Sequence, residues 1–552
     1  MNIIVPIKVL ADDQDIVVAA DRSLDDSKAH RIVSTYDLNA IEAAVQLAST
    51  HEGSKVVCVS VADAKADDSK LKKGILARGV DELVMIADDA CADLDAHATA
   101  AMLARLVDGL DAADLIVCGD GSADNYAQQV DVQLADALGL PVVTAVSAVS
   151  VEGAVATCDR MLETQLQTVQ VDLPAVISVV PDIALPRIPG MKDILAAGKK
   201  PSSVNAASDV AAAVVDVVET KAPQQAERKM EVLDASVDGD LEKFAAASKR
   251  PCRKGDVDMK ACVIAETSAA ARALCAGARG MADEVVLIAP GVEALTGVAD
   301  KAVHIDVPSE NAIDDAYASV NSVVDAEAPG IVLVEPTRSM KVLAGRLAAH
   351  LGTATITDVI EFEGDLATTM YFGGVGQRKS KASGTAIYTV GAGVFDEASA
   401  SGTDVVEEAP FTAPARALRV TGTKDLPKSD VDLAAASVVV AGGRGFAEEA
   451  DLQLMRDVAA KLGGECGCSR PLAEGVDWMP REAYIGVSGM MLAPKMYLGI
   501  GISGQMQHMV GVNHAGTMFA VNKDKNAPIF KQCDYGLVGD LKDVLPKLAA
   551  AL

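Results

Sequence analysis

The chain has 552 residues, half of them apolar, and its 78 acidic against 49 basic side chains give a formal net charge of −29. That balance repels a phosphate backbone, and aromatics at 3% leave no platform on which bases could stack, so nucleic acid is not an expected partner. At ~100–200 residues per domain the length calls for three or four domains, and no apolar run reaches the ~18–20 residues of a membrane span, which argues against an integral membrane protein. The N-terminus lacks a charged-then-apolar leader pattern. Ten scattered cysteines without C-x-x-C read as reduced core thiols, and seven histidines without H-E-x-x-H spacing argue against a metal. A cytoplasmic protein is expected.

Residues 1–200 alternate short apolar runs with amphipathic segments. Strands are predicted at 3–7, 55–61, 83–87 and 115–118 with a helix over 38–48, an order that implies a parallel sheet covered on both faces. Residues 201–256 are rich in Ala, Ser, Asp, Lys and Gln. They predict an extended arm with one regular element around 210–218, followed by a flexible tether.

Residues 257–409 repeat the first pattern. The runs 260–265, 284–289, 301–307 and 331–335 answer the four earlier strands. A helix ending Leu134-Ala135-Asp136-Ala137-Leu138-Gly139 corresponds to one ending Leu347-Ala348-Ala349-His350-Leu351-Gly352, and each leads into a Thr-containing stretch, 142–144 or 355–357. Duplication is the simplest cause, and it predicts two similar domains able to pair. Three prolines with several Thr and Lys in 410–429 suggest a hinge before a last domain, 430–552.

That domain opens with an apolar run, 437–441, followed by Gly442-Gly443-Arg444-Gly445 and a helical pattern through Leu462. Strand, Gly-rich turn and helix are the parts of an anion cradle, to which Arg444 would add charge. A second strand, 496–500, runs into Gly499-Ile500-Gly501-Ile502-Ser503-Gly504, the G-x-G-x-x-G spacing, with Asp524 about 20 positions on, where a dinucleotide fold places its ribose-binding acid. Ser469-Arg470, Ser488-Gly489, Gln507-His508, Asn522 and Asp534-Tyr535-Gly536 each follow a strand or turn and so can converge on one sheet edge.

The segments GGRG, CSRP, GISGQMQH, VNKDKNAPIF and CDYGLVGDL resemble the FAD-binding domain of the electron transfer flavoprotein α subunit. The resemblance implies an FAD held by Arg444, Ser469, Arg470, Ile485, Gly486, Val487, Ser488, Ser503, Gly504, Gln507, His508, Asn522, Asp534 and Tyr535. Within that set Arg444 and Asn522 would lie on the phosphates or ribityl chain, and Ser469, Arg470, Ser488 and His508 near the isoalloxazine. The family's Q-V-G-Q-T-G-K reads here Tyr484-Ile485-Gly486-Val487-Ser488-Gly489-Met490, so Val487 and Met490 replace polar groups.

Lys8, Tyr36-Asp37-Leu38, Cys118-Gly119, Pro186-Arg187 and Lys199-Lys200-Pro201 resemble the β subunit of the same family. Thr337, Arg346, Thr357-Asp358 and Gly373-Gly374 resemble the first α domain. Together they imply a fusion, β first: two related parallel-sheet α/β domains of the adenine-nucleotide α-hydrolase type, then a Rossmann-like FAD-binding domain. The implied role is an electron carrier without a substrate of its own, as in fatty acid β-oxidation. Its partner would be a flavin-containing dehydrogenase, such as an acyl-CoA dehydrogenase, with a quinone oxidoreductase or ferredoxin-type protein as acceptor.

Asp124-Asn125-Tyr126-Ala127-Gln128-Gln129-Val130 stands where the family's D-G-D-T-A-Q-V holds the phosphate of AMP or of a second FAD. The implied site also takes Lys8, Tyr36 and Cys118, with Asp124, Gln129 and Val130 from the turn. Ala127 and Tyr126 replace Thr and Asp, leaving AMP, a second FAD or neither as occupant. Segment 185–195 matches the family's docking loop, with Met191 at the apolar anchor. Three other readings stay open: an NAD-dependent oxidoreductase built on Gly499 to Gly504, a bifurcating variant with two flavins, and an adenine-nucleotide sensor.

Overall fold

A computed structural model describes residues 1–223, 231–234, 260–291, 295–391, 393–395, 400–403, 405–426, 433, 436–476, 478–480, 483–486, 490, 492, 494–513 and 515–552. The chain forms two compact units, Met1–Ala222 with Asp256–Leu426, and Pro223–Gly255 with Pro427–Leu552. Among the described residues no helix is long and apolar enough to cross a membrane.

In the first unit the apolar runs become strands buried on both faces. Side chains alternate along a strand, so Ile3 and Val5 enter one core while Ile4 enters the other. The same division separates Ala261 and Val263 from Cys262 and Ile264 in the second domain. The first domain's parallel strands stand in the order Glu82–Ala87, Lys55–Ala62, Asn2–Pro6, Leu115–Gly119, Ala175–Val179, Val142–Glu152. The second repeats that order with Lys301–Ile305, Glu284–Pro290, Lys260–Ile264, Ile331–Val334, Ala386–Val390, Thr355–Val359.

The likeness extends to an irregularity. The last strand of each set shifts register, at Ala145 (φ 59°) and at Asp358 (φ 55°), three residues after the strand begins. A side-chain-bearing residue rarely adopts that conformation, so its recurrence at matching positions supports duplication more strongly than the strand order alone.

The two domains meet through equivalent helices, Val130–Ala137 and Arg338–Leu351. A Cβ at Gly345 would stand 2.8 Å from Val132 Cγ1, so this approach needs glycine. Arg346 donates across the contact to Asp136 Oδ1 (3.0 Å) and Leu140 O (2.9 Å). A buried pair, Arg160 to Asp314 at 2.8 Å, also crosses it.

The domains exchange strands as well. Val215–Lys221, from the predicted arm, pairs antiparallel with Gly376–Ala382 of the second domain, and Arg419–Asp425 pairs antiparallel with Gln165–Asp172 of the first. The stretch 410–429, read as a hinge, thus contains a paired strand. It is seated by Leu418 N–H on Asp315 (2.8 Å), a carboxyl that burial pushes up to about 7.

The second unit is a six-stranded parallel sheet in the order Glu231–Asp234, Tyr535–Val538, Thr517–Asn522, Met496–Ile500, Val438–Gly442, Glu465–Cys468. Helices Leu452–Leu462 and Leu541–Ala551 belong to it. Its first strand comes from the segment predicted to be a tether; 235–256, with Cys252, lies outside the described residues. The arm is therefore a partial donor of sheet edges: Val217 and Val232 belong to two different sheets.

Because strands, helices and ion pairs all join the two related domains, cleaving the chain between Gln224 and Gln225 should leave the halves associated. Co-elution from a sizing column at micromolar concentration is the expected result. Separation on dilution would show that the covalent join itself holds them.

Candidate functional site

Open parallel sheets bind ligands beyond the strand C-termini where the strand order reverses, and in the second unit that point lies between Val438–Gly442 and Met496–Ile500. The loops leaving these strands touch through glycine. Gly443 N–H donates to Ile500 O (2.9 Å) and Gly445 N–H to Gly501 O (3.0 Å). A Cβ on Gly443 would lie 2.6 Å from Gly501 O, and one on Gly445 2.6 Å from Gly501 Cα. The glycines of both motifs therefore let two loops pack. The amides of Gly443 and Gly445 are already engaged, so the cradle expected at the first motif is not built from them.

Free donors lie one loop further on. The N–H groups of Ile502, Ser503 and Gly504 have no acceptor among the described residues. The loop that carries them is fixed from three sides. Asn522 Nδ2 donates to Ile502 O (2.9 Å), Ile529 N–H to Ser503 O (3.0 Å) and Gln532 Nε2 to Gly504 O (2.8 Å). Gly504, at φ 88°, would place a Cβ 2.3 Å from Ile529 N, so only glycine fits. Three consecutive amides without an acceptor among the described residues suit a phosphate. Asp524, the candidate ribose acid, instead accepts Asn526 N–H (2.9 Å) in its own turn.

Ser469 and Arg470 follow the edge strand Glu465–Cys468. Ser469 is buried, its N–H on Gly442 O (2.9 Å), while Arg470 is exposed at the head of the turn Pro471–Gly475. Ile485 N–H donates to Cys468 O (2.9 Å), which lays Ile485-Gly486 beside them; Val487 and Ser488 lie outside the described residues. Burial pushes the thiols of Cys466 and Cys468 up to about 11 and about 12, so both stay protonated at neutral pH. Arg444 is exposed at the tip of its turn.

His508 is buried, with Nε2 2.7 Å from the hydroxyl of the fully buried Tyr497. Burial pulls the imidazole down to about 4, against an opposing pull from the Ile485 main chain, so the ring is neutral at pH 7. By hydrogen-bond geometry Nδ1 is buried without a partner among the described residues. A buried orphan nitrogen and a row of unengaged amides at one strand edge fit a cofactor with phosphate and carbonyl groups. Gln507 belongs to the short helix Met506–Met509.

Asp534 and Tyr535 hold the sheet. The Asp534 carboxylate accepts Met518 N–H (2.8 Å), and Tyr535 stacks on Phe519 with ring centroids 5.2 Å apart. Sequence reasoning missed Tyr497 and Gln532. A tyrosine amid a fully apolar strand is a signal that could have found the first, because its hydroxyl needs a buried partner.

In the first unit Lys8, Tyr36, Cys118, Asp124, Gln129 and Val130 do gather at the reversal point between Asn2–Pro6 and Leu115–Gly119; several of their polar groups are engaged, while Asp124 Oδ1 and Gln129 Oε1 are buried without a partner among the described residues. Lys8 Nζ pairs with Asp124 at 2.6 Å, and Gln129 Nε2 donates to Gln128 O (2.9 Å) and Lys341 O (3.2 Å). Asp37, pushed up to about 7 by burial, accepts Lys8 N–H (2.7 Å); burial also drives the Cys118 thiol far above its ordinary range. Val130 starts the helix Val130–Ala137. The Tyr126 ring lies against Gly121 and 5.1 Å from the Tyr36 ring, and it is this ring that keeps the residues as they stand from fitting a second nucleotide.

Met191 opens the short helix Met191–Ala197 at 74% exposure, beside Leu185 at 90% and Ile188 at 94%. Arg187 fixes the base of this apolar loop with a two-pronged contact to Glu42, at 2.6 and 3.0 Å.

Comparison with known proteins agrees with this layout. The profile of the electron transfer flavoprotein domain matches residues 22–210 and 262–414, and that of the electron transfer flavoprotein FAD-binding domain matches residues 432–513. Protein FixB of Escherichia coli (strain 55989 / EAEC) is 37% identical over 303 residues, covering 52% of this chain and 97% of the relative. Protein FixB of Shigella dysenteriae serotype 1 (strain Sd197) is 41% identical over 254 residues, 44% of this chain and 81% of its own length. With two related domains and an FAD-binding domain in one polypeptide, the chain belongs to the electron transfer flavoprotein family.

Proposed function

We propose that the chain carries electrons through one FAD, held in the 430–552 domain, from a flavin dehydrogenase of the acyl-CoA dehydrogenase kind to a quinone oxidoreductase or ferredoxin-type acceptor. The observation that carries the reading is the gathering of free amides at Ile502 to Gly504, the Ser469-Arg470 turn and the neutral His508 at one strand edge. Bound there, FAD supplies reversible uptake of one or two electrons. The amides of Ile502, Ser503 and Gly504 take its phosphates, Arg444 adds a positive charge, and Asn522 holds their loop in place. His508 donates one hydrogen bond to the ring's carbonyl edge. Arg470 opposes the negative charge that arrives with an electron.

The exposed apolar loop around Met191 suits an anchor that grips the dehydrogenase while the flavin domain does the transfer. Met is an adaptable plug, and Pro186, Pro189 and the Arg187–Glu42 contact stiffen the loop beneath it.

Three outcomes follow. Removing one charge-assisted hydrogen bond, worth ~1.5–3 kcal/mol, shifts a one-electron couple by roughly 60–130 mV, so Arg470→Ala should lower the first flavin potential by that amount in a redox titration. An unchanged potential refutes the role. Met191→Ala should keep FAD content and thermal stability while slowing electron uptake from the dehydrogenase at limiting carrier; wild-type rates would refute the anchor. His508 binds its proton near 4 when folded and near 6.5 when unfolded, so acid favours the unfolded chain: stability declines from pH 6.5 to pH 4, by about 3 kcal/mol in total. Urea unfolding followed by Trp478, the chain's one tryptophan, should show this decline, and His508→Gln should flatten it.

A further inference from the structure

Among the described residues there are three reversal points of the kind that binds ligands in parallel sheets, and they are not equivalent. The one in the FAD-binding domain is built from glycine and unengaged amides. In the second domain, between Lys260–Ile264 and Ile331–Val334, the chain's own carboxylate fills the anion position. Glu335 accepts Glu266 N–H (2.7 Å), Thr267 N–H (3.0 Å) and the Thr267 hydroxyl (2.6 Å) at the head of helix Ser268–Ala278.

In the first domain an aromatic side chain stands in the way. The loop after Leu115–Gly119 folds back over the strand ends with Tyr126 at φ 48° and Gln128 at φ 53°, backbone that residues other than glycine seldom adopt. The Tyr126 ring lies so close on Gly121 that a Cβ there would be 2.4 Å from its Cδ2. It faces Tyr36 with centroids 5.1 Å apart, and its hydroxyl donates to Asp120 Oδ2 (2.9 Å). The second domain clamps the loop at three places: Phe372 N–H on Asp124 O (2.7 Å), Arg378 on Asn125 Oδ1 (3.0 Å) and Lys341 Nζ on Gln128 Oε1 (2.8 Å). Strained backbone persists only where surrounding structure holds it, and here it places one planar ring.

We propose that Tyr126 is a built-in occupant of the first-domain cleft, so that the cleft takes no nucleotide unless that ring is removed. The walls around the ring define what would replace it. The face of Tyr36 would stack on a flat heterocycle, Asp120 would accept from an amino group, and Arg338, whose Nη1 is buried without a hydrogen-bond partner among the described residues and lies 3.6 Å from Asp120, would meet an anion. A purine nucleoside monophosphate such as AMP carries all three. The inference rests on the reading that the chain's FAD sits in the 430–552 domain.

Denaturing the purified protein and separating the released nucleotides should give FAD alone, with one adenine per flavin. Equilibrium dialysis against labelled AMP at about 1 mM should show no saturable site in the wild type or in Tyr126→Phe, which keeps the ring, and one site in Tyr126→Ala at unchanged FAD content. Released AMP, two FAD per chain, or equal AMP binding by the wild type and Tyr126→Ala overturns the proposal. So does a folded, fully flavinylated Tyr126→Ala that binds none. Should Tyr126→Ala not fold, the adenine-to-flavin ratio and the dialysis of the other two proteins decide. A protein that releases no flavin at all fails the FAD reading instead, a different result from an extra adenine.

Discussion

Helix Arg338–Leu351 can lie against Val130–Ala137 because position 345 has no side chain: Val132 already occupies the place where one would go. Much of the first unit follows from this contact. It brings two copies of one fold together through equivalent surfaces, in the manner of a two-fold dimer joined covalently. Once the helices touch, Arg346 reaches Asp136, Arg160 reaches Asp314, and Lys341 reaches the loop that holds Tyr126. Removing one partner of a buried pair such as Arg160 and Asp314 leaves a charge without compensation, which favours this one arrangement over slipped ones.

Duplication supplied one architecture twice and the FAD-binding domain adds a third parallel sheet, each with a reversal point, yet each edge is finished differently: one with a carboxylate, one with a tyrosine, one with glycine. A carboxylate among backbone amides satisfies the same donors that a phosphate would, and a tyrosine ring covers the area of a base. Glycine does neither, and the edge it lines keeps its donors free. The fold thus provides the position, and single residues decide whether it is open.

The parallel sheets, the repeat and the glycine motifs were legible in the sequence because continuous apolar runs and their spacing encode burial on both faces. Pairing between distant segments was not. Val215–Lys221 read as part of an arm with one regular element and Arg419–Asp425 as a hinge, and neither showed its partner, because edge strands bury little and carry mixed polar residues. At the site, residue type points to Ser469, Arg470 and His508, but it does not reveal that Gly443 and Gly445 answer a neighbouring loop or that the Asp534 carboxylate accepts a main-chain amide of the sheet. Tyr126 was visible as a substitution, but its positive φ, which aims the ring inward, depends on clamps from residues more than 200 positions away.

The strand Glu231–Asp234 completes the edge of a sheet whose neighbour, Tyr535–Val538, is synthesised roughly 300 residues later. The FAD-binding domain is therefore discontinuous in sequence and cannot finish folding until the ribosome has delivered residues 535–538. A fragment cut at the obvious boundary, residue 430, would expose Tyr535–Val538 as an unpaired apolar edge, the kind of surface on which chains associate with one another. Isolation of this domain for spectroscopy thus calls for a permuted chain that carries 231–234 along with it.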